Sequence, residues 1–379
     1  MTVLYIKVCD ENQIQLPIKF LNSNFSDSKN NFFFENHKII NKIFKNPYGK
    51  GYFVYAVDDN MNIYGCASIT PKNLFYKEKK ILIAEIGDTF SVQSKSFIKK
   101  LGYKKINFFD EPKLNYYDIE KIQFITRSIF GRLVDYLLYI AKQNKFELIY
   151  GTANNQSLSS YINRFDFKQL ENKEVYDLYL INAKLIKMKF KSIGKLNFIV
   201  NNFFKFYNQL FFSNLFLNKK KLFLEEIEKF NMHRNIIDDL WDKFKNKELS
   251  LIKDAKYLEW RYDSNEYRKF IFFKDKKVTG WIVIKKKFKD NYEKITICDF
   301  LFTCRNSEFK YFLFVVLNKF DYLNSIVNIW DNSNKDIFNK CLFVKKQKIN
   351  FIYKNINKLN AQYEIKVINN FTIGCSDNI

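Results

Sequence analysis

The residues with chemistry to offer gather in one stretch, 127–167. Ser128 precedes an apolar stripe at helical spacing, made by Ile129, Phe130, Leu133, Val134, Leu137, Leu138 and Ala141. A serine there is an N-cap candidate, and free backbone N–H groups at a helix start attract anions. Arg127 and Arg132 add positive charge beside them. Together they read as a phosphate site; an ordinary capped core helix with two solvated arginines is the structural alternative. A compact strand, 146–152, follows. Asn154 then opens a second helix that carries Ser157 and Tyr161, and the spacing aims Tyr161 back along the helix toward the strand end.

The elements that must position these groups come earlier. Residues 3–9 read as a strand, and 12–25 and 32–44 as two modest helices. A loop at 46–51 carries Asn46, Pro47, Gly49 and Gly51. Strands 51–59 and 62–70 flank a tight turn and read as an antiparallel hairpin. A long third strand spans 80–92, with Glu85 and Asp88 in its middle. Strict alternation would point these two carboxylates to opposite faces, whereas a bulge at Gly87 would put them on one face. Each then either takes up a proton or pairs with one of the many lysines. About 30 residues, 93–126, separate this strand from the phosphate site. They read as a lid over a binding site or as a surface excursion.

The order helix–helix–hairpin–strand–helix–strand–helix, with Asn154-x-x-Ser157-x-x-x-Tyr161 running on to Phe167, resembles the GNAT superfamily of N-acetyltransferases over about residues 3–180. The family's Gln/Arg-x-x-Gly-x-Gly/Ala turn falls on residues 125–130. Here Ser128 and Phe130 stand at the glycine positions, and Gly131 comes one residue late. The resemblance implies a diphosphate site at Arg127, Ser128, Ile129, Phe130, Gly131 and Arg132, with Ser157 nearby. It implies a splayed third strand whose backbone at Phe90, Ser91 and Val92 holds the thioester oxyanion. It implies that Asp88, ahead of Glu85, takes the amine proton through water, and that Asn154 and Tyr161 lie at the sulfur, with Tyr161 protonating the thiolate. The co-substrate is then acetyl-CoA or another acyl-CoA, with no metal. The reaction is acyl transfer to an amine, an amino sugar for cell-surface polysaccharide.

The second half echoes the first at about 200 residues. Residues 254–262 precede a hairpin (268–275, 278–287) and a third strand (294–302), in which Asp299 sits much as Asp88 does. A helix (309–320), a strand (325–331) and a segment that mirrors the Asn-to-Phe helix of the first half (332–343) follow, then strands at 349–354 and 363–368. The expected fold is α/β: two GNAT-like units in tandem, each a mixed, mostly antiparallel sheet flanked by helices. The boundaries expected are 1–182 for an acyl-CoA-binding unit, 183–245 for a helical crossover and 246–379 for a degenerate second unit. Within the crossover, 189–216 mixes lysine with aromatics; it fits a membrane surface or, the reading preferred here, a segment packed between domains. Residues 222–230 fit a strand or a helix start. Paired units with one degenerate half also occur in Fem-type peptidyltransferases, which take aminoacyl-tRNA, and a catalytically inactive binding module is a third reading.

Composition narrows the rest. With 379 residues, 47% of them hydrophobic, the chain can bury two cores. Its net charge of +23 comes with only 7 arginines among 63 basic residues. That is a lysine-rich drift suited to anionic or nucleotide-linked substrates rather than to specific nucleic-acid binding. Cys9, Cys66, Cys298, Cys304, Cys341 and Cys375 form no C-x-x-C, and only His37 and His233 are present, so neither zinc nor a disulfide framework is expected. The N-terminus has no signal-peptide pattern. Cytoplasmic location follows as the expectation, with contact at the inner face of the membrane as the further reading.

Overall fold

A computed structural model describes residues 2–25, 34–76, 78–92, 106–110, 128–169, 175–189, 197–212, 221–245, 250–289, 292–331, 338, 341–356 and 372. The chain forms two compact units. The first is Met1–Asn73, Ile81–Leu170 and Asn350–Glu364; the second is Leu74–Lys80, Glu171–Ile349 and Ile365–Ile379. Neither is one continuous segment, so the linear divisions at 182 and 245 are not where the chain parts. The physical reason is strand pairing, which is indifferent to order along the chain.

In the first unit the elements are β1 (Thr2–Val8), α1 (Gln15–Phe25), α2 (Asn36–Ile43), β2 (Tyr52–Val57), β3 (Ile63–Tyr76), β4 (Lys79–Ser91), β5 (Ile106–Asp110), α3 (Ile129–Gln143), β6 (Leu148–Ala153), α4 (Asn155–Phe165) and the short β7 (Lys168–Gln169). The sheet runs β5-β1-β2-β3-β4-β6 and is closed by residues 350–355, which pair antiparallel with β6. The described part of the 93–126 insertion is thus an edge strand, β5, parallel to β1. Alternation along β2 assigns the layers. Val54 and Ala56 pack with Ile129, Leu133, Val134 and Leu137 of α3 on one face, while Phe53, Tyr55 and Val57 pack with Ile18 and Leu21 of α1 and Ile39 and Ile43 of α2 on the other. The β2–β3 turn is tied by Asp58, whose Oδ1 accepts from the backbone N–H of Asn60 and of Asn62.

The second unit holds β8 (Val175–Leu180), α5 (Ala183–Lys189), α6 (Asn197–Phe212), β9 (Leu222–Ile227), α7 (Arg234–Phe244), β10 (Ser250–Leu251), α8 (Ala255–Tyr262), β11 (Tyr267–Lys274), β12 (Lys277–Lys289), β13 (Tyr292–Phe302), α9 (Asn306–Leu317), β14 (Ser325–Asp331) and the first part of β15 (Phe343–Asn355). Residues 343–349 of β15 pair with β8, and the order continues β14-β13-β12-β11-β9. The region expected as a helical crossover therefore contributes a strand, β9, to this sheet. Phe309, Phe312, Leu313 and Val316 of α9 cover Phe270, Phe272, Ile282, Ile295 and Ile297 of the sheet. Both sheets are mixed and mostly antiparallel.

Candidate active site

The site begins where β4 leaves β6. The two strands pair in parallel through Ile83↔Leu148, Ala84↔Ile149 and Glu85↔Tyr150. Contact persists one step further because residue 151 is glycine: a Cβ there would lie 2.9 Å from the Ile86 carbonyl oxygen. Then Asp88 takes φ +46° and β4 turns aside, while the Val92 N–H still bonds the Tyr64 carbonyl of β3 at 2.9 Å. The result is a cavity of about 670 Å³. The end of β4 with the residue after it (Thr89 to Val92), the start of α3 (Ser128 to Phe130) and one face of α4 line it, with Asn24 of α1. Eight of the residues singled out from sequence meet there: Phe90, Ser91, Val92, Ser128, Ile129, Phe130, Asn154 and Ser157.

Two N-caps shape this wall. Ser128 Oγ accepts from the Gly131 N–H at 3.1 Å, and its carbonyl accepts from the Arg132 N–H at 3.1 Å. Those bonds leave the N–H groups of Ile129 and Phe130 as the outward-facing donors of the first turn. No acidic residue stands in that turn, so its positive field is not cancelled from within. Gly131 and Arg132 belong to this turn but not to the cavity wall, and Arg127 lies outside the described residues. Ile129 is seated over Gly65, where a Cβ would come within 2.8 Å of its Cγ2. Phe130 packs edge-on against Tyr161, ring centroids 5.3 Å apart, which keeps its bulk in the α3–α4 contact. Asn154 caps α4, its Oδ1 accepting from the Ser157 N–H at 2.8 Å.

The two carboxylates lie elsewhere. Asp88 forms an ion pair with Lys42 of α2 and accepts from Ser68 Oγ at 2.6 Å. Glu85, 1% exposed, sits 3.4 Å from Lys72 Nζ and accepts from the Tyr150 hydroxyl at 3.3 Å. Ser68 and Lys72 occupy alternate positions of β3, so both acids point to the face that α1 and α2 cover. Neither forms part of the cavity wall. Pairing with lysine, the structural alternative read from sequence, describes both.

Tyr161 is 4% exposed, and its hydroxyl donates to Thr89 Oγ1 at 3.4 Å. Burial pushes that hydroxyl up to about 12, against a smaller opposing pull from the Thr89 bond. It stands one residue behind the wall, and Thr89 is the group that meets the cavity. Thr89 was missed from sequence, as were Asn24, Gln156, Ser160 and Arg164. The last three recur at i, i+4 and i+8 on α4, a polar stripe whose spacing is the signal in the sequence. Among the described residues no cluster of His, Cys, Asp and Glu could hold a metal ion.

No protein-family model matches the sequence, and no curated protein matches it. Solved structures do. A probable N-acyltransferase from Enterococcus faecalis superposes with a TM-score of 0.57 at 9% identity, over 94% of this chain and 73% of that one. A GCN5-related N-acetyltransferase from Anabaena variabilis gives 0.55 at 10% identity, over 93% and 73%. The N-myristoyltransferase of Saccharomyces cerevisiae, solved with myristoyl-CoA, gives 0.56 at 10% identity, over 92% and 82%. The chain has the fold shared by GCN5-related N-acetyltransferases and N-myristoyltransferase.

Proposed function

We propose that the first unit is an acyl-CoA-dependent N-acyltransferase, transferring an acetyl or other short acyl group to the amine of a sugar used in surface polysaccharide. The observation that carries this reading is the opening of β4 from β6 onto the uncancelled N-terminus of α3. One cavity then offers an anion site and a strand edge. Ile129 and Phe130 N–H groups with Ser128 suit a diphosphate. Val92 donates toward β3, so by alternation the Ser91 N–H faces the opening, where a strand donor can hold a thioester oxyanion. As the amine nitrogen bonds the acyl carbon, the C–S bond breaks and the thiolate leaves; the amine proton passes to water. Asp88 and Glu85 are assigned to holding the bend of β4, not to proton transfer. Tyr161 is assigned to positioning Thr89, since a hydroxyl pushed up to about 12 is a poor acid toward a thiolate of about 8.5. Asn24, Gln156 and Ser160 give the cavity a polar wall that suits a hydroxylated acceptor.

The test is incubation of the whole chain with a panel of acyl-CoAs and amino sugars, following free thiol release and product mass. Acylated sugar appearing with one thiol released per turnover is the expected result. Absence of both, together with no thermal stabilisation by any CoA, removes the reading.

A further inference from the structure

We infer that α6 is a docking helix for an anionic lipid surface, a property of the second unit that stands apart from the reading of the cavity. The first observation is one of exposure. Ile199, Phe203 and Phe206 are 63%, 57% and 64% exposed. Spaced by four and then three residues, they fall within one narrow sector of the helix. The other side is accounted for: Phe204, 8% exposed, faces inward, and α6 packs against α5 and α9. Three large side chains, each more than half exposed on one face of one helix, form an apolar patch.

The second observation is one of charge. From residue 178 to residue 224 the sequence holds nine lysines and no aspartate or glutamate. The chain elsewhere averages an acid about every eight residues, which the 40 acids outside this stretch set. A 47-residue run without any is therefore a local departure, not the general lysine-rich drift. Lys205 is exposed on α6 itself, flanking the apolar sector, and Met188 on the neighbouring α5 adds exposed apolar surface. An apolar face on a helix that carries an exposed lysine and no acids, set within an acid-free, lysine-rich stretch of sequence, is complementary to phospholipid: acyl chains take the rings and anionic headgroups take the ammonium groups. Nucleic acid would use the lysines and stack bases on the two rings, but it offers no apolar medium to the aliphatic Ile199 and Met188. A second protein surface would have to supply both acids and an apolar groove. No helix among the described residues is long and apolar enough to cross a membrane, so the helix lies on the surface rather than spanning it.

The experiment is flotation of the full chain with vesicles of phosphatidylcholine alone or with about a third phosphatidylglycerol. Binding to the anionic vesicles is expected. The Phe203→Ser, Phe206→Ser double variant should lose about tenfold in partitioning. Phe288→Ser, which removes an exposed phenylalanine on β12, should lose none. In Phe203→Trp, brominated lipid should quench the new indole. Unchanged binding of the double variant overturns the proposal, because the net charge alone then explains association. So does binding to RNA that the same substitutions abolish, or a dimer in solution that they dissociate.

Discussion

Beyond Asp88, strand β4 of the first unit carries Thr89 and Ser91. Beyond Asp299, strand β13 of the second carries Phe300 and Phe302 at the same two steps. Both strands part from a parallel neighbour just before that aspartate: β4 after Glu85↔Tyr150, β13 after Ile297↔Ile329. What occupies the space differs. In the first unit it is a polar-lined cavity. In the second, Phe300 packs edge-on against Phe338 at 5.5 Å and lies 5.7 Å from Phe309, and Phe302 stacks on Phe309 at 4.0 Å. Burying such rings stabilises by roughly 2–3 kcal/mol each, so the second unit gains stability where the first keeps room.

The helix beside each opening differs in the same sense. The first turn of α3 has no acid. In α9, Glu308 accepts from the Arg305 N–H at 3.0 Å and from Lys274 Nζ at 2.7 Å. The second unit thus supplies its own anion to its helix start. By contrast, the bend itself is held alike. Lys253 Nζ lies 2.6 Å from Asp299, which also accepts from Tyr262 at 3.0 Å and Thr372 at 2.8 Å, as Lys42 and Ser68 hold Asp88. A buried lysine–aspartate pair present in the closed unit as well as the open one belongs to the architecture. The helix start and the residues past the bend are what separate a site from a filled core.

Four substitutions test this contrast. The largest effect is expected at Ser91, through its backbone. Ser91→Pro removes the N–H that faces the opening and should lower the acyl-transfer rate roughly a hundredfold or more, with acyl-CoA affinity nearly kept. An active Ser91→Pro protein would move the oxyanion donor elsewhere. Next come the paired aspartates. Asp88→Asn and Asp299→Asn each leave a buried lysine without its counter-charge and should each cost about 3 kcal/mol in denaturant unfolding. The rate per folded molecule should stay near the parent's in both. A large rate loss in Asp88→Asn at unchanged stability would return Asp88 to the chemistry and break the parallel. Third, Ser128→Asp keeps an N-cap oxygen but imports a charge of the kind Glu308 carries. Acyl-CoA should bind about tenfold more weakly, and added salt should narrow the gap. Unchanged affinity would place the diphosphate away from α3.

Much of this arrangement was legible in sequence because it is local. Alternation marked the hairpins, the stripe from Ile129 marked α3, and Asn154 marked the start of α4. What was not legible depends on distant pairing. Residues 350–355 close the first sheet against β6, and nothing in their own composition names that partner. Strand β5, five residues long, is recruited by pairing with β1, Ile106 against Thr2, a partner far off in sequence that its own composition does not specify. Gly87 suggested a bend, but which face Asp88 would take depended on Lys42, 46 residues away. The phenylalanines at 300, 302, 309 and 338 read as core, and only the tertiary packing shows that they fill the counterpart of a cavity.

The smallest expected effect concerns Tyr161, and it separates a positioning residue from an acid. The hydroxyl is buried, bonded to Thr89 and pushed up to about 12. In the unfolded chain it titrates near its ordinary value of about 10. A group raised in this way contributes its full stability below about pH 10 and loses it progressively toward pH 12, because the unfolded state ionises first. At pH 11, midway, the difference is about 1.4 kcal/mol. Tyr161→Phe keeps the ring against Phe130 and Phe167 and removes the titration. Between pH 9 and pH 11 the variant should therefore lose less unfolding free energy than the parent, by about that amount. At neutral pH its acyl-transfer rate should fall by about tenfold or less, since Thr89 still meets the cavity. A residue that handed its proton to a leaving thiolate would show the opposite pattern: a rate loss of roughly a hundredfold or more, and no special protection at alkaline pH. That result would put Tyr161 in the cavity wall beside Thr89 instead of behind it.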